Sequence, residues 1–336
     1  MSKKELLATI FYHSGLLRFL APMRPGVTVF GYHRIRPDGG PTPDVFDAAV
    51  FGPAQSEFER QVIWLKNQFA ILSESELLDA VRRPRIAENC VAITFDDGYR
   101  DNYELAYPVL RARLAPAVFF VCPGLIDRGE LGWWDLIAYL IKKSDKTSIS
   151  LLGETLALGS QKAATAGKLQ EWMKRRPHSE TASLVNQLSA ACEVPLPSRA
   201  LQSEELMTWD QIREASRGGV AIASHTHTHR VLGTLPEEDQ RWELRESKAA
   251  LERQLSCPVR TIAYPAGRRG NFTVATKRIA QECGYEAGFS YHSGFNSAGA
   301  IDTYDIARIA PAETFGPMFA CATAMPEVFT WTHKSD

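Results

Sequence analysis

The sequence predicts an α/β fold built on a parallel sheet with helices on both faces, open or closed into a barrel, and three observations carry that expectation. Short apolar runs rich in β-branched residues recur, as in VTVFGYH (27–33), VAITFD (91–96), AVFFV (117–121), VAIAS (220–224) and TIAYP (261–265). Longer stretches with apolar residues at helical spacing separate them. The strand runs are near-continuously apolar rather than alternating, which is the pattern of strands covered on both faces. Such a sheet gathers its functional groups at the C-terminal ends of the strands.

Taken in order, residues 1–26 form an N-terminal helical segment. Its stretch LLATIFYHSGLLRFL (6–20) suits a helix packed on the rest of the chain, or an amphipathic one lying on a partner or membrane surface. Residues 27–336 form the main domain. The strand at 27–33 precedes helices at 56–69 and 73–82, the strand at 91–96 precedes a helix at 102–114, and a further strand covers 117–121. The segment 133–206 then breaks the rhythm with Leu- and Ala-rich patches, the stretch KKSDKTS, Pro195 and Pro197, and is read as a mostly helical insertion. Its apolar start, WWDLIAYLI, suits a lid or a helix packed on the barrel. Helices at 209–217, 237–255 and 273–283 alternate with the strands at 220–224 and 261–265, and weaker strand patterns close the chain at 287–291 and 306–310.

Composition narrows the function. The 336 residues include 45% hydrophobic, 10% aromatic and 23% charged side chains, an ordinary globular balance that argues against disorder. Lys and Arg total 38 against 39 acids, for a net charge of −1, so a strongly basic nucleic-acid binder is excluded. Six widely spaced cysteines form no CxxC pair, and reduced thiols are expected. No run approaches the ~18 apolar residues that span a bilayer, and Glu5, His13 and Arg18 interrupt the first apolar stretch as no signal peptide would be interrupted. A cytoplasmic protein is expected, with peripheral contact at the inner membrane face.

Three strand ends carry the chemistry. VAITFDDGYRDNY (91–103) ends a strand with Asp96, Asp97 and Gly98, which alone suits a plain turn. VAIASHTHTHR (220–230) runs into His225, His227 and His229, and three imidazoles so close together are hard to bury without polar partners. Neutral imidazoles with a carboxylate from another strand make a three-ligand site for a borderline cation such as zinc, with one position left open. TIAYPAGRRGN (261–271) follows a strand with Pro and Gly, allowing a tight turn beside a ligand.

TFDDG at 94–98, the H-T-x-x-H segment at 225–229 and YPAG at 264–267 together resemble the polysaccharide deacetylase family, also called the NodB-homology or carbohydrate esterase 4 family. The YHRI segment at 32–35 and FERQVIWLKNQF at 58–69 are similar to its surface-polysaccharide branch. The resemblance covers roughly residues 27–125 and 205–315 and implies a distorted parallel (β/α) barrel. It implies Asp97, His225 and His229 as ligands of a divalent metal, Zn2+ first, with Co2+, Mn2+ or Ni2+ as alternatives. It also implies Asp96 as general base and the Ala266 N–H as an oxyanion donor. The family's third-motif arginine falls at Ala263, so Arg308 in ARIAP is the candidate to orient the base. The family's late general-acid histidine has no clear match, and His33 and His292 are the candidates. The implied substrate is an N-acetylated amino sugar of a polysaccharide, a lipid-linked saccharide or a precursor. Two other readings remain: a non-catalytic carbohydrate-binding protein on the same fold, and an amidohydrolase-type enzyme, which would need more metal-binding histidines than His292 and His333 after the cluster.

Overall fold

In the computed structural model, the described residues are 2–17, 25–40, 45–82, 86 and 89–330. The strands are β1 (Gly26–Tyr32), β2 (Arg34–Arg36), β3 (Phe51–Ala54), β4 (Ala70–Ile71), β5 (Asn89–Phe95), β6 (Ala117–Val121), β7 (Ser148–Leu151), β8 (Glu154–Ala157), β9 (Val220–Ser224), β10 (Thr261–Ala263), β11 (Ala287–Phe289) and β12 (Asn296–Ser297). The main sheet runs β11-β10-β9-β6-β5-β1-β12, with β4 alongside β5. Its pairings are parallel apart from the antiparallel β1–β12 edge.

The sheet curls until its ends nearly meet, and residues 306–309 bridge the gap. Ile306 pairs in parallel with Phe289 on β11, and Ile309 with Phe30 on β1. Ile309 N–H donates to the Val29 carbonyl at 2.8 Å, and Gly31 N–H to the Ile309 carbonyl at 3.0 Å. The late, weak strand pattern thus closes a distorted (β/α) barrel.

Strand parity divides the core. Ala92, Val118, Phe120, Ala223, Ala263, Phe289 and Ile306 cluster inside the barrel. Their neighbours Ile93, Phe95, Phe119, Ile222 and Ile262 pack outward against helix residues such as Phe58, Leu110, Ile212, Leu244 and Ile279. This period of two carries the next inward positions, Asp96, His225 and Arg308, to the barrel mouth.

In the insertion, Leu140 and Ile141 of the helix Trp133–Lys143 meet Leu169, Met173, Leu184 and Leu188 of the helices Lys162–Met173 and Thr181–Cys192, in an apolar core that continues to Phe46, Phe51, Tyr99 and Cys122 of the main domain. The insertion is not wholly helical: β7 and β8 form a hairpin whose turn residues Leu152 and Gly153 both have positive φ, 53° and 82°. That turn matches the twist of the paired strands. The N-terminal helix is shorter than expected, spanning Lys3–His13 behind a Ser2–Glu5 capping box, and Ala8 packs on the helix Pro317–Ala324. Residues 18–20 of the expected helix, and His333, lie outside the described residues. All six cysteines are free, and Cys90, Cys122, Cys192 and Cys321 are buried.

Candidate active site

The backbone at the strand ends is bent into conformations that place side chains. Asp96 N–H still donates to the Tyr32 carbonyl at 2.9 Å, extending the ladder. The next two residues, Asp97 and Gly98, turn left-handed with φ of 74° and 83°, so the two neighbouring acids leave the strand in different directions. Thr226, His229 and Ala266 are also left-handed, at φ 63°, 57° and 59°. The other non-glycine residues of this kind close helices (Leu114, Glu193, Ser256) or the hairpin (Leu152). Concentration of strained backbone at one place marks a functional site.

Asp97, His225 and His229 are buried, and one donor atom of each lies within 4.8 Å of the others. Asp97 Oδ1 stands 3.4 Å from His225 Nε2 and 3.3 Å from His229 Nε2. His225 Nδ1 donates to the Ala263 carbonyl at 2.8 Å, which leaves its Nε2 lone pair facing Asp97. Asp97 Oδ1 is buried without a hydrogen-bond partner. An orphaned carboxylate oxygen between two imidazole nitrogens fits a divalent cation. Burial pushes the Asp97 carboxyl up, but His225 and His229 outweigh it and hold it well below the usual carboxylate range. Burial lowers the His229 pKa. At His225 burial also opposes charging, but Asp96 and Asp97 raise the pKa overall.

Asp96 is locked by Arg308. The guanidinium donates from Nη1 to Oδ1 at 2.6 Å and from Nη2 to Oδ2 at 2.8 Å, with neither side chain more than 2% exposed. Arg308 is itself fixed by Nε donating to the Ser290 carbonyl at 2.9 Å, with the rings of Phe120 and Tyr291 over its guanidinium. Burial raises the Asp96 pKa, and the Arg308 charge more than reverses it. The result is a carboxylate that is ionised and aimed. His33 Nε2 lies 4.0 Å from Asp96 Oδ2, and its ring meets Tyr291 edge-on at 5.3 Å. Tyr291 packs where a Cβ on Gly31 would stand, 2.5 Å away, and its hydroxyl donates to the Gly31 carbonyl at 2.7 Å.

These groups line a cavity of about 170 Å³. Asp96, Asp97, His33, His225, His229, Ala266 and Arg308 all face it. The Ala266 N–H donates to no protein group among the described residues. His292 is not in the lining; its Nε2 pairs with Asp305 at 2.8 Å and with Ser290. His227 also stands outside it, half-buried with its ring edge-on to Trp242.

Sequence reasoning passed over the second wall, which the insertion supplies through Trp133, Trp134, Gln170 and Lys174. The Trp134 ring lies 4.1 Å from that of His229. Its Nε1–H donates to the Tyr99 hydroxyl at 2.7 Å, which donates to Asp135 Oδ2 at 2.7 Å. Arg34 lies over Tyr99 at 4.4 Å and donates to Asp101 and Glu205. The Trp-Trp-Asp run was the available signal: a buried acid beside two indoles needs polar partners. The expected lid or packed helix is thus a packed helix that also walls the cavity.

The family profile described as polysaccharide deacetylase matches residues 84–288, more than half the chain. The chain belongs to the polysaccharide deacetylase family. The Bacillus subtilis protein YxkH is 24% identical over 244 residues, 71% of this chain and 59% of that protein. A Staphylococcus aureus poly-β-1,6-N-acetyl-D-glucosamine N-deacetylase is 33% identical over 89 residues, covering 26% of this chain and 31% of that protein. The chain therefore matches less than two thirds of the length of either relative. Among solved structures, the Streptococcus pyogenes deacetylase PplD in complex with acetate superposes with a TM-score of 0.60 at 21% identity, covering 90% of this chain and all of that one. IcaB from Ammonifex degensii does so at 0.57 and 20%, covering 89% and 96%. These likenesses show the fold, a parallel sheet curled into a barrel with covering helices.

Proposed function

We propose that the protein is a metal-dependent hydrolase that removes an N-acetyl or related acyl group from an amino sugar of a polysaccharide, a lipid-linked saccharide or a precursor. The observation that carries this is the orphaned Asp97 oxygen between two imidazoles, set beside a second carboxylate locked by an arginine. Asp97, His225 and His229 hold a divalent cation, zinc first among Co2+, Mn2+ and Ni2+. When bound, it supplies Lewis acidity, acidifying water and polarising an acyl carbonyl.

The chain's own groups do the rest. Asp96 accepts the proton of the attacking water, and Arg308 keeps it ionised and oriented at the cost of some basicity. The Ala266 N–H donates to the acyl oxygen as it gains charge. His33, at the cavity wall beside Asp96, delivers a proton to the leaving amine nitrogen, which departs as the free amino sugar while the acyl group leaves as its carboxylate. The saccharide lies against Trp133, Trp134 and Tyr291, whose faces suit sugar C–H groups.

No described helix is long and apolar enough to cross a membrane. The helix Lys3–His13 exposes Leu6, Leu7 and Ile10 beside Lys3 and Lys4, which supports peripheral contact with an anionic membrane surface at the cytoplasmic face.

Elemental analysis and acetate release together test the reading. Near one zinc or similar ion per wild-type chain is expected, lost in His229→Ala, and retained in Asp96→Asn, whose turnover of N-acetylated oligosaccharides falls by about 10²–10⁴-fold. Full turnover in Asp96→Asn would overturn the mechanism.

A further inference from the structure

We propose that Arg268 forms a subsite for an anionic group, so that the saccharide processed here carries a carboxylate or phosphate next to its acylated amino sugar. This rests on the deacetylase reading of the same cavity. The other charged groups around the cavity have partners. Asp96 is matched by Arg308, and Asp97 faces His225 and His229. Asp47 Oδ1 accepts the Ala49 N–H at 2.9 Å, and Lys174 Nζ donates to Glu171 Oε1 at 2.6 Å.

Arg268 differs. It is half-buried and lines the cavity, and Glu171, already bonded to Lys174, acts on it only at a distance, so among the described residues no hydrogen bond or ion pair takes its guanidinium. It stands two residues after Ala266 in the loop AGRRG, so the loop that offers an N–H to the acyl oxygen also offers a cation to the substrate's neighbouring substituents. Lys174, from the insertion, lines the same cavity, and Arg175 follows it.

A guanidinium partly withdrawn from water is best satisfied by a planar anion that takes two of its N–H groups. A neutral chain of N-acetylglucosamine offers it hydroxyls only. A uronic acid or sugar phosphate beside the reacting ring offers the matching charge.

Calorimetry on the zinc-loaded full chain tests this with three probes: the neutral N-acetylglucosamine tetramer, a tetramer alternating N-acetylglucosamine with glucuronic acid, and N-acetylglucosamine 1-phosphate. At least one acidic probe is expected to bind about ten-fold or more tighter than the neutral tetramer at low salt, and the one that does identifies carboxylate or phosphate. Arg268→Gln removes that preference and leaves neutral binding within about two-fold, while Arg268→Lys keeps part of it. Equal wild-type affinity for neutral and acidic probes, or an equal loss for all three in Arg268→Gln, would overturn the subsite. Acetate release in the same samples separates the two readings. Acetate release from neutral and acidic probes alike, with no dependence on Arg268 for either, sinks the subsite alone, whereas an Arg268-dependent preference with no release from any probe sinks the deacetylase alone.

Discussion

The barrel side of the cavity presents Asp96, Asp97, His225, His229 and Arg308 from strand ends, whereas the insertion side presents Trp133, Trp134, Gln170 and Lys174 from helices. The first wall is ionised, held by strained turns and buried hydrogen bonds; the second is half aromatic, and its Trp134 indole, Gln170 amide and Lys174 ammonium donate to Tyr99, Trp134 and Glu171. Strand ends give positions fixed by the sheet ladder on both sides, which suits groups that must meet a proton or a cation at a defined distance. Helices of an insertion are freer to vary, which suits contacts that differ from one ligand to the next. The two walls are nevertheless coupled, because Trp134 rests on His229.

The sharpest way to test the ionised wall is to remove the charge that holds it. Arg308→Met leaves Asp96 buried and unpaired and is expected to lower stability by ~3–5 kcal/mol in urea unfolding. Adding Asp96→Asn should recover much of that loss. An additive double variant would show that the pair is not coupled. Smaller is the effect of breaking the contact between the walls. Trp134→Leu removes the indole from His229 and from the Tyr99 hydroxyl, and should weaken zinc affinity about ten-fold in a competition titration with a chelator. Unchanged affinity would make the insertion wall independent of the metal site.

The subtlest effect lies behind the insertion wall. Burial pushes the Asp135 carboxyl up to about 7, although Arg34 and Tyr99 oppose it. A carboxyl whose pKa is raised by folding stabilises the fold fully below its unfolded value, ~3.9, and that stability is lost as pH rises through about 7. Between pH 5 and 8 the wild type should lose ~2 kcal/mol relative to Asp135→Asn, which does not titrate. Parallel stability curves for the two proteins would show that Asp135 is ionised throughout.

Much of the first wall was legible because its residues extend strands. Ala92, Thr94 and Asp96 share a face by strand parity, and the histidines at 225 and 229 follow the strand that pairs with β6. Arg308 was reachable only by resemblance. Its pattern, IARIA, is short, and the parallel bridges to Phe30 and Phe289 are tertiary facts that no local spacing encodes. Trp133, Trp134 and Tyr291 carry no local mark that separates them from core residues, since core and cavity aromatics have the same periodicity. Choosing between His33 and His292 had the same difficulty. Which one met the cavity depended on Asp305 holding His292 elsewhere. The hairpin β7–β8 was hidden because its two four-residue strands are too short to outweigh the helical patterns around them.

Closure by residues 306–309 also sets an order of birth. A chain leaving the ribosome has both acids and both imidazoles well before Arg308 arrives, so until then Asp96 lacks its arginine, and β11 and the Phe30 end of β1 present open edges. This late stretch therefore completes two things at once, the sheet and the charge balance of the buried Asp96 carboxylate. A chain short of residue 306 carries the Asp97, His225 and His229 cluster with Asp96 still unanchored, and the cavity takes its final form only when the barrel is shut.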